Sequence, residues 1–256
     1  NEWGCVPEYK SALEKELGPG TLGVASSERA LLNYDSVRAA LINDARSYEQ
    51  FVNDIPAFAD LDALLPIDNQ NPSSVNGVMS VPRANALAMG FDPALLPTTL
   101  SLYDSTVFRD GVFSISDTLD PFDPAFLTTV IHEIGHILGF VSAVDQVDQG
   151  NRNVRLAPLD FFRLEPGQGG IDFGNAPRNY NPRGTQHVFY DGGTFNPVGI
   201  PLPGLEIGDV PLSMGVATGD GSQASHWKDD ALTNGIFIGV LDPILGVRDT
   251  LTENDR

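Results

Sequence analysis

Apolar side chains recur at helical spacing early in the chain. Within residues 27–49 this spacing is kept by Leu31, Tyr34, Leu41, Ala45 and Tyr48. Ser26 or Ser27 stands before them and could accept a hydrogen bond as the N-cap of a helix. The pattern predicts a surface helix over this segment.

A second helical pattern lies near the middle of the chain. Asp123 suits an N-cap, and Pro124 suits the first helical position, where a backbone N–H would lack a partner. Apolar residues that would cover most of the helix surface follow at Phe126, Leu127, Val130, Ile131, Ile134 and Leu138. Gly139 fits the position just after a helix end. We therefore predict a mostly buried helix from Pro124 to Leu138.

Turn-forming residues divide the chain between these two segments. Breaks are predicted at Pro56, Pro66, Pro72, and Asn76 with Gly77. A short helix is predicted within residues 82–90, ending at Gly90. Asp110 and Gly111 lie between two β-prone runs in residues 106–116, which predicts a hairpin there.

The second half of the chain is richer in turn-forming residues. Glycine and proline are dense from Pro158 to Gly221, and short strands such as residues 186–190 are predicted between the turns. We expect an α+β fold, in which residues 1–140 carry a twisted sheet and the long helix. Residues 141–256 form the loop-rich remainder of the same domain.

The charge balance restricts the partners of this chain. Its 256 residues carry 15 Lys and Arg against 34 Asp and Glu, which gives a formal charge of −19. Such a surface repels phosphate backbones and anionic lipids, so we expect neither nucleic acid nor membrane as a partner. Acidic loops at residues 120–124 and 217–221 could hold structural calcium, although solubility in a salty medium explains them equally well.

Residues 132–136 spell His-Glu-Ile-Gly-His, an H-E-x-x-H motif inside the predicted long helix. Positions four apart share a helix face, so His132 and His136 can both bind one zinc ion at about 2.0–2.1 Å. Glu133 would lean towards water at that ion and is our candidate catalytic base. The alternative is a pair of helical histidines satisfied by backbone or solvent.

A catalytic zinc needs a third protein ligand. The compact metzincin spacing, H-E-x-x-H-x-x-G-x-x-H, fails because its last position is Ser142, and Glu165 and Glu206 lie far away in sequence. Of the two remaining histidines, His187 lies in an alternating strand-like run and is predicted to be structural. His226 follows a glycine-rich segment and precedes a tryptophan, so we predict that it is the third ligand.

These motifs resemble those of known zinc peptidases. HEIGHILGF followed at long range by SHW, and then by a short turn containing Asp-Pro, resembles the leishmanolysin-type branch of the metzincins. A closer resemblance, to secreted bacterial HExxH metallopeptidases, is carried by HEIGHILGFVSAVD, APLDFFRLEPG, DGGTFNP, GDGSQASHWKDD and IGVLDPILG. It extends from about residue 75 to the last residue and is weaker over residues 21–58.

The resemblance implies a metzincin-like fold and a secreted, monomeric zinc endopeptidase that cleaves proteins or peptides. It implies zinc binding by His132, His136 and His226, with Glu133 as the catalytic base. The family's methionine turn has Leu241 here, which can fill the same apolar volume. A different function would be a non-catalytic zinc-, calcium- or adhesion-binding module with the peptidase fold, but such a module has no use for Glu133.

Several further residues have both a functional and a structural interpretation. Tyr180 or Tyr190 could stabilise an oxyanion, but packing is the commoner role for such a tyrosine. Asp145 and Asp160 could hydrogen-bond a ligand histidine, or could hold loops. Trp227 is predicted to anchor the loop that carries His226.

The N-terminal residues contain the only cysteine, Cys5, so no disulfide can form within one chain. Its segment GCVPE loosely resembles the propeptide by which a thiolate occupies the zinc of latent matrixins, although an ordinary cysteine is the plainer interpretation. The segment NEWGCVPEYK lacks a signal-peptide pattern, so we expect any signal peptide to have been removed.

Overall fold

The computed structural model describes residues 22–45, 50–61, 74–75, 77–96, 110–190 and 209–228. These residues form a mixture of helices and small sheets, compatible with the predicted α+β class. The helices are α1 (Tyr34–Asp44), α2 (Phe58–Leu61), α3 (Arg83–Ala88), α4 (Pro124–Leu138), α5 (Val144–Asp148) and α6 (Gly169–Asp172). Shorter 3₁₀ segments span Gln50–Asp54, Pro93–Leu95 and Pro158–Phe162.

The strands pair in small sets within the described residues. They are β1 (Gly23–Ser27), β2 (Arg29–Asn33), β3 (Ser74–Val75), β4 (Val78–Pro82), β5 (Gly111–Ile115), β6 (Asn153–Val154), β7 (Arg163–Leu164), β8 (His187–Tyr190) and β9 (Asp209–Leu212). The antiparallel sets are β1 with β5, β2 with β4, and β7-β8-β9, whereas β3 and β6 run parallel. Within the described residues, the strands thus form several small sheets, and no larger twisted sheet is found among them.

The first predicted helix is wrong over its N-terminal part. Residues 23–33 are extended, and only the stretch from Tyr34 onward is helical. The reason is long-range pairing: β1 bonds to β5 and β2 bonds to β4, neither of which is near in sequence. The N-cap is Asn33, whose side chain accepts from the Ser36 N–H at 3.2 Å, and neither Ser26 nor Ser27 caps the helix. Tyr48 lies outside the described residues.

Helix α4 has the predicted ends. The Asp123 carboxylate accepts from the Ala125 N–H at 2.8 Å, and Gly139 ends the helix with a φ of 138°. Its burial is less complete than predicted, because Leu127, Ile134 and Leu138 are exposed. These three side chains lie on one stripe of the helix, pointing away from β1 and β5, which pack on it.

The shorter predictions have mixed outcomes. The helix within residues 82–90 is confirmed as α3, and residues 187–190 form β8 as expected. Gly111 is the first residue of β5 and pairs with Ser27 of β1, so it is not the tip of a hairpin. The expected first arm of that hairpin lies outside the described residues.

The main hydrophobic core draws on both halves of the chain, from Ala30 and Tyr34 to Val188 and Ala224. A smaller cluster of Val210, Leu212 and Trp227 packs against Phe140 and Phe189. The boundary proposed at residue 140 stays a prediction. No helix in the described ranges has both the length and the apolar character required to cross a bilayer.

Candidate metal centre

Three of the four histidines meet at one point. The Nε2 atoms of His136 and His226 each lie 3.1 Å from Nε2 of His132. A tetrahedral ion with bonds of 2.0–2.1 Å would hold two such nitrogens ~3.4 Å apart. Among the described residues this is the one group of three or more histidine, cysteine or acidic side chains close enough to share an ion. The structure therefore brings together the three predicted ligands, within reach of one metal ion.

Backbone carbonyls orient two of the rings. Nδ1 of His136 lies 2.7 Å from the Phe140 carbonyl oxygen, and Nδ1 of His226 lies 3.3 Å from that of Gln223. A carbonyl can only accept, so these contacts assign the proton to Nδ1 and leave an Nε2 lone pair on each ring. At least two lone pairs then face the same point and repel each other, and a bound cation would remove this repulsion.

The end of α4 makes this orientation possible. Gly139 adopts φ of 138°, which lets the chain reverse so that Phe140 presents its carbonyl to His136, one turn back. A Cβ at Gly139 would lie 3.0–3.1 Å from the side chain of Asn85. The glycine that the sequence pattern identified as a helix end is thus also required for the orientation of a ligand histidine.

Trp227 anchors the segment that delivers His226, as predicted. Its ring packs edge-on to Phe140 at 4.6 Å and to Phe189 at 5.9 Å between centroids. The flanking backbone joins β9: the Ser213 N–H donates to the His226 carbonyl at 3.0 Å, and Lys228 donates to Pro211 at 3.1 Å. This packing holds His226 against the C-terminal end of α4.

Asp145 and Asp160 hold loops, and neither carboxylate accepts a hydrogen bond from a ligand histidine. Asp145 accepts from the Ala224 N–H at 2.7 Å and from the Ser225 hydroxyl at 2.5 Å, just before His226. Asp160 accepts from the Ser142 hydroxyl at 2.6 Å and from two backbone N–H groups. Together they join the segment after α4 to the segment that carries the third histidine.

A buried arginine joins the same loop to the core. Arg163 donates to the carbonyls of Ala224 and Ser213, and its Nη1 atom donates to Nδ1 of His187 at 2.9 Å. His187 is fully buried and donates from Nε2 to the Asn181 carbonyl at 3.0 Å. Burial holds the pKa of His187 well below its ordinary value, and the nearby Arg163 charge adds to this. His187 is therefore a structural histidine, as predicted.

Glu133 lies beside the histidine cluster and is only 4% exposed. Burial raises the pKa of its carboxyl to about 7. Strand β1 passes directly over it, since a Cβ at Gly23 would lie 2.5 Å from its Oε1 atom. Within the described parts of the chain, its carboxylate has no hydrogen-bond or ion-pair partner, so it is not committed to a structural role.

The cluster opens into a cleft of about 790 Å³. Its walls include β1, the three histidines, Glu133, and the loops around Asp148 and Ala217. Arg29 of β2 also lines the cleft. Nothing in the sequence motifs identified this arginine, because its place depends on the strand that replaced the predicted helix.

The remaining candidates lie elsewhere. Tyr180 is buried and donates to the Asp160 carbonyl at 3.2 Å, and Tyr190 packs against Phe51 and Phe173. Both are packing residues. Asp148 accepts from the backbone N–H groups of residues 217 and 218, at the start of the acidic loop for which calcium binding and solubility were equally good explanations. Cys5, Glu206 and Leu241 lie outside the described residues.

Comparison with protein-family models, with curated proteins and with solved structures gives no match for this chain. Its function therefore has to be inferred from its own residues and their geometry.

Proposed function

We propose that this chain is a zinc-dependent endopeptidase of metzincin type, with His132, His136 and His226 as metal ligands and Glu133 as the general base. The observation that carries the proposal is the meeting of three imidazoles in a cleft, beside a carboxylate without a hydrogen-bond partner among the described residues. One of the three, His226, lies at least 90 residues from the other two in sequence. The long spacing to His226 supports the leishmanolysin-like assignment, and secretion remains part of the proposal.

The ligand set favours zinc in a catalytic setting. Three imidazoles whose ring nitrogens lie within 4.8 Å of one another suit this ion and leave a fourth coordination position for water or substrate. Zinc held there supplies Lewis acidity, lowering the pKa of water towards about 7 and polarising a carbonyl.

The residues of the chain supply the proton transfers. Glu133 accepts a proton from water as that water attacks the peptide carbonyl, and then gives it to the departing amine. Because β1 and α4 bury the carboxylate, water has only the cleft side from which to approach it. The walls of the cleft, built from β1 and the loops around residues 148 and 217, would receive the peptide.

The test is the substitution Glu133→Gln, assayed for zinc content and for cleavage of casein and of fluorogenic peptides. We expect zinc to be retained and cleavage to fall by about 10²–10⁴-fold, as for loss of a general base. Glu165→Gln is a matched control, since the Glu165 carboxylate accepts from the Thr185 hydroxyl at the surface and does not line the cleft. Undiminished cleavage by Glu133→Gln would show that another group is the base.

Cleavage by the wild-type protein, measured with and without a chelator, distinguishes a peptidase from a binding module. A peptidase loses cleavage when a chelator removes its zinc and regains it when zinc is restored. Zinc bound at one equivalent with no cleavage of any protein or peptide substrate would favour the non-catalytic module. His226→Ala is expected to lose zinc while keeping its fold, because among the described residues its ring contacts the two other ligand histidines and, at 3.3 Å, the Gln223 carbonyl.

A further inference from the structure

Arg29 is a half-buried cation in the wall of the candidate active-site cleft. It lies on β2, where it pairs with Pro82 of β4, and it lines the same cleft as His132, Glu133 and His136. Arg29 therefore lies in the wall that surrounds the histidine cluster.

The guanidinium of Arg29 has no protein partner in the described parts of the chain. By contrast, Arg83, Arg163 and Lys228 each have an acidic partner there, namely Asp110, Asp160 and Asp220. No side-chain hydrogen bond of Arg29 is found among these residues. A cation removed from water without partners is unfavourable, and burial lowers the pKa of Arg29 against the opposing effect of Asp160 and Asp145.

The acidic groups around the cleft are already engaged by other donors. Asp145 holds residues 224 and 225, and Asp148 accepts from residues 217 and 218. Asp160 is fully buried behind the cleft, where it accepts from Ser142 and backbone N–H groups. Among the described residues of the cleft wall, Arg29 therefore has N–H donors left for a ligand, just as Glu133 has acceptor oxygens left.

We propose that Arg29 binds a carboxylate of the substrate, so that the cleft favours peptides with an acidic residue near the bond that is cleaved. This deepens the proposed peptidase function and rests on it. A guanidinium offers paired N–H donors that match the two oxygens of a carboxylate, and partial burial strengthens such a pair. The acidic surface of the chain would instead favour basic substrates, so the two effects predict opposite preferences.

The experiment compares zinc-loaded wild-type protein on blocked peptides that differ only by Glu, Gln or Lys at each position around the cleaved bond. We expect kcat/KM for one Glu peptide to exceed that for its Gln counterpart by about tenfold. A second pair, with a free or an amidated C-terminus, separates a side-chain carboxylate from a chain-end carboxylate. Measurements at 0.15 M salt limit the long-range repulsion between acidic peptides and the protein.

Two substitutions assign the preference to the guanidinium. Arg29→Gln is expected to reduce the Glu-to-Gln ratio to near one, and Arg29→Lys to keep part of it, since a lysine retains charge without the paired donors. Arg155→Gln is the matched control, because Arg155 is exposed and lines a separate small cavity with Ser80 and Asn153. It removes one positive charge outside the cleft and should leave the ratio unchanged.

The binding step can be measured without turnover. Zinc-loaded Glu133→Gln should bind the preferred acidic peptide about tenfold more tightly than its Gln counterpart, and adding Arg29→Gln should abolish the difference. Cleavage without any charge preference would overturn the role of Arg29 and leave the peptidase function standing. No cleavage of any peptide by the zinc-loaded wild type would overturn both. If Arg29→Gln does not fold, the wild-type ratio and Arg29→Lys still decide the matter.

Discussion

His187 and His226 differ in their surroundings, although both lie in the loop-rich half of the chain. His187 is enclosed by Arg163 and the Asn181 carbonyl, so both ring nitrogens are used by the protein. His226 uses Nδ1 only, and its Nε2 faces the other two ligands. Sequence context distinguished them correctly, because an alternating strand favours burial and a glycine-rich loop favours a projecting side chain. The choice of ring nitrogen could not be predicted, since it depends on carbonyls brought in by the fold.

The buried state of His187 should make stability depend on pH. Its folded pKa lies well below 6.5, so the unfolded chain binds one more proton as pH falls through this value. Above about pH 6.5, His187 therefore has no effect on the free energy of unfolding. As the pH decreases from 6.5, that free energy decreases by up to about 1.4 kcal/mol per pH unit. His187→Gln keeps an acceptor for Arg163 and a donor for Asn181 without titrating.

The measurement is denaturant unfolding of wild type and His187→Gln between pH 5 and 8, both at saturating zinc. The other histidines titrate alike in the two proteins, so the difference in slope belongs to His187. Parallel curves would contradict a pKa well below 6.5 for this group.

Helix α4 illustrates which elements local sequence can predict. Its start depends on Asp123 and its end on Gly139, and both act through hydrogen bonds or dihedral angles within a few residues. Strand β2 could not be predicted in this way, because its hydrogen bonds go to β4, about 50 residues further along the chain. Arg29 was missed for this reason, and so was the brace between Asp145 and Ser225, whose partners are 80 residues apart.

The protein should bind zinc less tightly when the hydrogen bond between Asp145 and Ser225 is weakened, because this bond positions the loop that carries His226. Asp145→Asn changes one carboxylate oxygen into an NH2 group, which cannot accept a hydrogen bond. The side chain then loses its contact either with the Ser225 hydroxyl or with the Ala224 N–H. We expect zinc affinity to fall by about tenfold, the lower end of the effect of disturbing groups that position metal ligands. Competition with a chromogenic chelator measures this change.

Asp172→Asn provides the control for that substitution. Asp172 accepts from Asn175 in an exposed turn and has no connection to the ligand loop. Its zinc affinity should equal that of the wild type. An Asp145→Asn protein with unaltered zinc affinity would mean that the packing of Trp227 and the remaining hydrogen bonds of this loop hold His226 in place without Asp145.

Over the whole molecule, a bound ion would join α4 to a loop 90 residues further along the chain. The core already connects both halves, so we expect the chain to fold without zinc and to be stabilised by it. At free zinc 100-fold above the dissociation constant, the gain in unfolding free energy is about 2.7 kcal/mol. Thermal unfolding with zinc and with a chelator should differ accordingly in Tm.

His226→Ala is the control for zinc-dependent stability, because it leaves His132 and His136 as an incomplete set. Its Tm should respond little to zinc or chelator. A wild-type Tm that is indifferent to the chelator, in protein from which zinc has demonstrably been removed, would contradict a structural link through the ion.

Gly23 gives the first described strand a direct influence on the chemistry of a helix 110 residues later. The backbone there lies so close to Oε1 of Glu133 that even one methyl group would have to occupy the same space. Such a methyl would force the carboxylate to rotate, changing its direction towards the approaching water. Mutational tolerance at this position would therefore be set by the geometry of proton transfer and not by the strand's own preference for side chains.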